Sequence, residues 1–250
     1  MPEGRWPLPG TAARVGSALA MLVAALAAAT FAAAVLTPPL SGPFCAVDCF
    51  QYPYAGAGTR YPRDFLWMYP GTVLMLAFMG LLVCVHRSTP PEERVYSQVG
   101  MVLGAAGALV VAADYYVQFS TVPPSLLAGE GAGVALLSQY NPHGLFVVLE
   151  EFGYLLVSVA MACLAPVFWR SARAIAWVSI AAFLADVAAL AAVSAVYGVR
   201  REYRFEVAVI AIGYLAMITT AVQLAIAWRR VRTRPQAKTN RDVASERSVF

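Results

Sequence analysis

Six stretches of about 20 residues, each nearly free of charge, constrain this chain more than any other feature. They cover residues 15–36, 67–86, 98–119, 145–169, 175–196 and 205–228. A helix needs about 20 apolar residues to cross the roughly 30 Å hydrocarbon core of a bilayer. Composition agrees: 60% of the 250 residues are hydrophobic and 13% charged, with a mean hydropathy of +0.65, whereas soluble domains run at roughly 45–50% and about 25%. A disordered chain and a water-soluble globule are both excluded. No ten-residue alternating strand pattern appears, and lipid-exposed backbone must satisfy its own hydrogen bonds, so the stretches are expected to be helices. The expected fold is all-α, a polytopic integral membrane bundle of six transmembrane helices over residues 1–234, with a disordered tail over 235–250.

The first stretch follows Arg5 and Arg14 and could be taken for a secretory signal. It is longer than the roughly 7–15 residues of a signal core, so it is read as an uncleaved helix. Orientation follows from the basic residues between spans. With the N-terminus inside, Arg5, Arg14, Arg87, Arg94, Arg170, Arg173 and the tail from Arg229 to Arg247 lie on the inner side. Only Arg60, Arg63, Arg200, Arg201 and Arg204 lie outside. Both termini are therefore expected in the cytoplasm, at the cell membrane. The net charge of +4 resides mainly in the tail, which suits a topogenic anchor on lipid headgroups. Lacking interleaved aromatics or a fold of its own, the tail is not expected to bind nucleic acid.

Two long outer loops, 37–66 and 120–144, follow from this topology. The first is rich in rings, among them Phe44, Phe50, Tyr52, Tyr54, Tyr61 and Phe65. It reads as an interfacial aromatic belt, with a lid over a central cavity as the alternative. Cys45 and Cys49, four residues apart outside the cytoplasm, are expected to form a disulfide. A redox relay would need a second pair, and Cys84 and Cys163 look isolated. The second loop contains no Lys or Arg. Its apolar run at 134–137 suggests a short half-helix packed on the membrane. Its glycines follow no strand and precede no Lys-Ser/Thr, so they are not a phosphate cradle.

Ionisable residues inside spans are costly and mark functional sites. Asp114 and Gln118 lie one turn apart in the third span, Glu150 and Glu151 sit in the second turn of the fourth, Asp186 is central in the fifth and Glu206 begins the sixth. Asp114 lies roughly 8 Å, and Asp186 roughly 15 Å, below the outer ends of their helices. The acids thus share the outer half. His143, Glu150 and Tyr154 follow one helical stripe, and Asp114 shares a stripe with Gly107 and Gly100. Adjacent Glu150 and Glu151 diverge by about 100°, so Glu150 is favoured as the inward carboxylate. The Gly100-x-x-x-Gly104 spacing suits helix packing inside the bundle. No span holds a basic residue, although Arg200, Arg201 and Arg204 could reach down by snorkelling.

These features predict an acidic cavity open to the outside that binds or transports a cation, a proton or a cationic small solute. Its candidate residues are Asp114, Gln118, His143, Glu150, Glu151, Tyr154 and Asp186. One alternative is a metal-dependent lipid hydrolase, with a divalent ion on His143, Glu150 and Asp114. The other is a structural or assembly protein whose protonated acids join helices by hydrogen bonds. No cofactor is otherwise expected. A retinal pigment needs a span lysine, and the one Lys is Lys238 in the tail. A haem cytochrome needs paired span histidines, and the chain has two histidines, His86 and His143, at opposite faces. No Gly-x-Ser-x-Gly of a serine hydrolase occurs.

Overall fold

A computed structural model describes residue 6 and residues 11–37 and 39–233. The tail expectation for 235–250 falls outside these residues. Among the described residues there are helices and turns and no strand. The helices are α1 (Thr11–Val35), α2 (Met68–Arg87), α3 (Arg94–Ser120), α4 (Val122–Leu127), α5 (Val134–Leu137), α6 (Leu145–Phe168), α7 (Arg173–Tyr197) and α8 (Tyr203–Thr233). Six of them, all but α4 and α5, are long and apolar enough to span a membrane. Their boundaries have local causes. Pro90 and Pro91 keep α2 from running on into α3, because proline lacks the N–H that a continuing helix requires. Gly198, at φ 56°, stops α7 in a conformation that side-chain-bearing residues rarely adopt.

The six long helices form a closed ring. α1 packs on α2 and α8, α2 on α3, α3 on α6, α6 on α7, and α7 on α8. Helix α6 also touches α8 directly, which pushes α7 toward the periphery and places α6 near the axis. Large apolar side chains cover the outside of the ring: Leu76, Val102, Leu109, Leu184 and Leu215 are each more than half exposed. An apolar surface of that extent has no place in water and suits lipid. The long connections, 36–67 and 121–144, lie at one end of the bundle, called here the loop end. The short connections, 88–93 and 169–172, lie at the other, the tail end.

The closest contact in the ring joins α3 and α6. Gly100, Gly104 and Gly107 line the α3 face, as the small-residue spacing predicts. A Cβ added at Gly107 would stand 2.6 Å from the Gly153 carbonyl oxygen, and one at Gly153 would stand 2.4 Å from Val111 Cγ2. At Gly107 the obstacle is backbone, and at Gly153 it is the stiff β-branched side chain of Val111, so neither neighbour yields easily. Overpacking of this kind typically costs about 1–3 kcal/mol. Gly153→Ala is therefore expected to lower the thermal midpoint of the detergent-purified protein. Gly131→Ala, in open space, is expected to leave it unchanged.

Candidate functional site

The loop end of the α3–α6–α8 interface holds a closed polar cluster. Asp114 and Tyr115 come from α3, Glu150 and Tyr154 from α6, and Glu206 and Tyr214 from α8. All six side chains are buried, with Glu150 1%, Asp114 4% and Glu206 6% exposed. The Tyr115 hydroxyl donates to Glu150 Oε1 at 2.5 Å and lies 3.1 Å from the Tyr154 hydroxyl. The Tyr154 and Tyr214 rings lie with centroids 5.7 Å apart. Glu206 reaches Glu150 at hydrogen-bonding range, with Asp114 and Glu151 the next carboxyls around it. Asp114 faces Glu150, and its Oδ2 atom has no hydrogen-bond partner. An ionised carboxylate has acceptors and no donor, so two carboxyls share a hydrogen bond only when one carries a proton. The cluster can hold and release a proton. It also offers several oxygens to a cation that enters between the helices.

Glu151, one residue on, takes the other direction predicted by helix geometry. Its Oε2 accepts from Arg201 Nη2 at 2.7 Å. Among the described residues this is the one ion pair that reaches the acids of the spans, and it is the snorkelling arginine expected from the loop between the fifth and sixth spans. It neutralises the rim of the cluster and leaves Glu150, Glu206 and Asp114 without a basic partner.

Four expectations need correction. His143 precedes α6, is exposed, and receives only a backbone cap, its N–H donating to Asn141 Oδ1 at 3.0 Å. The helical stripe through Glu150 and Tyr154 does not extend to it, because α6 starts after Gly144. Among the described residues no three His, Cys, Asp or Glu side chains gather to hold a metal; the His143, Glu150 and Asp114 set is not assembled. Gln118 is fully buried but faces the loop. Its Nε2 donates to the Leu137 carbonyl and its Oε1 accepts from the Gln139 N–H at 3.1 Å. Both ends of its amide are spent on backbone, so it is a clamp rather than a ligand. Asp186 is fully buried yet apart from the cluster. It sits beside Ser158, two turns below Glu150 on α6, with both carboxyl oxygens lacking a well-formed hydrogen bond.

The expected outward-opening cavity is closed. The two long loops are sewn to each other and to α8 above the cluster. Tyr140 donates to Asp64 Oδ2 at 2.9 Å, and its ring meets Phe50 edge to face at 5.0 Å. Tyr203 donates to the Gln139 carbonyl at 2.9 Å and pairs with Ser41 at 2.7 Å. Phe65 is fully buried, while Tyr52 and Tyr61 stay exposed. The first loop thus covers the cluster with some of its rings and turns Phe44, Tyr52 and Tyr61 outward. Cys45 and Cys49 form the expected disulfide within it, sulfurs 2.08 Å apart, and Cys84 and Cys163 are free thiols. The apolar run at 134–137 is the single turn α5, which packs Val134 and Ala135 inward.

Sequence reasoning passed over Tyr115 and Tyr214 and gave Glu206 no role. A signal for Tyr115 was present: Gly104, Ala108, Val111, Tyr115 and Gln118 follow helical spacing on one face, and all are buried. No family model, no curated protein and no solved structure matches the chain.

Burial, and then the neighbouring Asp64, push the Tyr140 hydroxyl above its ordinary value. A group with a raised folded pKa contributes stability that is complete below the unfolded value, about 10 for tyrosine, and is lost as pH rises through the folded one. The lid is therefore expected to hold through mildly alkaline pH and to loosen only in strong alkali. Hydrogen exchange of residues 134–144 measures this. Tyr140→Phe is expected to speed exchange there at neutral pH, and Gln118→Ala to speed it further. Arg201→Gln leaves Glu151 buried without its cation, which costs roughly 1–3 kcal/mol after allowance for the partly exposed guanidinium. A lower thermal midpoint for Arg201→Gln is the expected result.

Proposed function

We propose that this chain is a multi-pass membrane protein, with both termini in the cytoplasm, that works as a proton-linked transporter of a small cationic solute. The cluster of Asp114, Glu150 and Glu206 is its proton-binding site, and the lid is its outer gate. One observation carries the reading: Glu150 and Glu206 meet at hydrogen-bonding range deep in an apolar bundle, with no basic side chain among the described residues paired to either. Carboxyls kept from water and from cations exchange protons rather than standing permanently charged. The tyrosines support the same role. Tyr115 donates to Glu150, so the proton between the glutamates remains free to leave when a cation takes its place. Positive charge concentrated at the tail end supports the orientation.

The metal-dependent hydrolase is not favoured, since its three proposed ligands are not gathered. Proteoliposomes containing a trapped pH dye test the transporter reading, with ethidium as the cationic probe. Under an inward-acid gradient, ethidium addition is expected to speed proton release through the wild-type protein. Glu150→Gln and Glu206→Gln are each expected to abolish that coupling. Infrared difference spectra across neutral pH are expected to show a titrating carboxyl that both variants lose. Full coupling in both variants, with no such band in the wild type, would mean that the acids only join helices.

A further inference from the structure

A second site lies at the tail end, away from the carboxyl cluster. Between the start of α3, the end of α6 and the side of α7 runs a groove of about 500 Å³. Its rim carries Glu92, Glu93 and Tyr96 on one bank and Trp169 and Arg170 on the other, and its floor is apolar around Ala165. Pro166, on the same wall, cannot donate a backbone hydrogen bond. The volume falls within the range of small-ligand sites, roughly 300–1,000 Å³.

The charges decide what fits. Glu92 and Arg170 are the charged groups facing Glu93. No ion pair joins either glutamate to Arg170 among the described residues, although opposite charges flank one groove. Two carboxylates and a guanidinium held apart across a cleft complement a ligand that carries an ammonium and a phosphate a few ångströms apart. Helix α3 has 27 residues, about 40 Å at 1.5 Å per residue, so its ends protrude beyond a hydrocarbon core of roughly 30 Å. The groove therefore falls at headgroup level, where Trp and Tyr are at home, and its apolar floor continues toward the acyl chains.

We propose that this groove binds one phospholipid with an ethanolamine headgroup. Its primary ammonium donates to Glu92 and Glu93, and its phosphate accepts from Arg170. Ethanolamine is favoured over choline because a carboxylate pair rewards N–H donors, which a quaternary ammonium lacks. It is favoured over anionic headgroups because the two glutamates would repel them. The proposal depends on the chain lying in a bilayer and not on the proton chemistry of the α3–α6–α8 cluster, so either can fail alone.

Native mass spectrometry of the full chain, released from nanodiscs of equimolar phosphatidylethanolamine, phosphatidylcholine and phosphatidylglycerol, tests it. The expected result is one retained phosphatidylethanolamine per chain. The double variant Glu92→Gln/Glu93→Gln is expected to lower its retention relative to phosphatidylcholine about tenfold, or 1.4 kcal/mol. Arg170→Gln is expected to lower total phospholipid retention by a similar factor. The substituted side chains lie at the rim, so an unchanged thermal midpoint is expected to show that the fold is intact. Equal retention of the three lipids by the wild type, or an unchanged preference in the double variant with an unchanged midpoint, would overturn the site.

Discussion

Three carboxyl groups sealed inside an apolar bundle, with no basic side chain among the described residues paired to them, set the terms for the rest of this structure. A charge removed from water is costly unless it is paired or neutralised. Here the groups at hand are a tyrosine hydroxyl on Glu150 and the neighbouring carboxyls themselves. That solution demands short distances. Tyr115 must come within 2.5 Å of Glu150, which is achieved only if α3 and α6 nearly touch. Gly107 and Gly153 provide that approach, and Gly153 lies one turn below Glu150 on the same helix. Packing and chemistry are therefore one constraint: the glycines that bring two backbones together also set the reach of the hydroxyl.

The same logic accounts for the lid. A buried acid cluster close to one end of a helical bundle would flood if that end were open, and water would screen the interactions that hold it. The loops at that end avoid this by bonding to each other through Asp64, Tyr140, Ser41 and Tyr203, while Gln118 anchors the second loop to α3. Arg201 closes the side of the cluster by pairing with Glu151. The cover is held by several separate polar bonds, whereas the α3–α6 seam is held by close packing of glycines against backbone and apolar side chains.

The six helices were legible because each is an uninterrupted apolar stretch of about 20 residues, the length and composition that a bilayer-spanning helix requires. Asp114 and Glu150 were legible because an acid in such a stretch is rare and costly. The internal divergence of Glu150 from Glu151 followed from 3.6 residues per turn. His143 and Asp186 were misplaced for different reasons. His143 was assigned to a helical stripe that begins two residues later, a boundary that Gly144 controls. Asp186 was assigned by depth alone, and depth does not say which neighbour a helix face meets. With α7 displaced by the α6–α8 contact, its acid meets Ser158 instead of Glu150. Gln118 was read as a ligand because its partner, the backbone of residues 137 and 139, lies some 20 positions away in a loop without periodicity.

What the chain's linear order determined by itself was a set of helices, their approximate ends, the disulfide between neighbouring cysteines, and a shortlist of acids that lipid would not tolerate bare. Those follow from local periodicity and from transfer energies, which each residue carries with it. The tertiary structure alone decided the companions of each acid: Glu206 and Tyr115 beside Glu150, Arg201 beside Glu151, backbone around Gln118. Such pairings depend on the order of helices around the ring and on the rotation of each about its axis. Both are set by how the small and large side chains of several segments interlock at once, and no single segment contains that information.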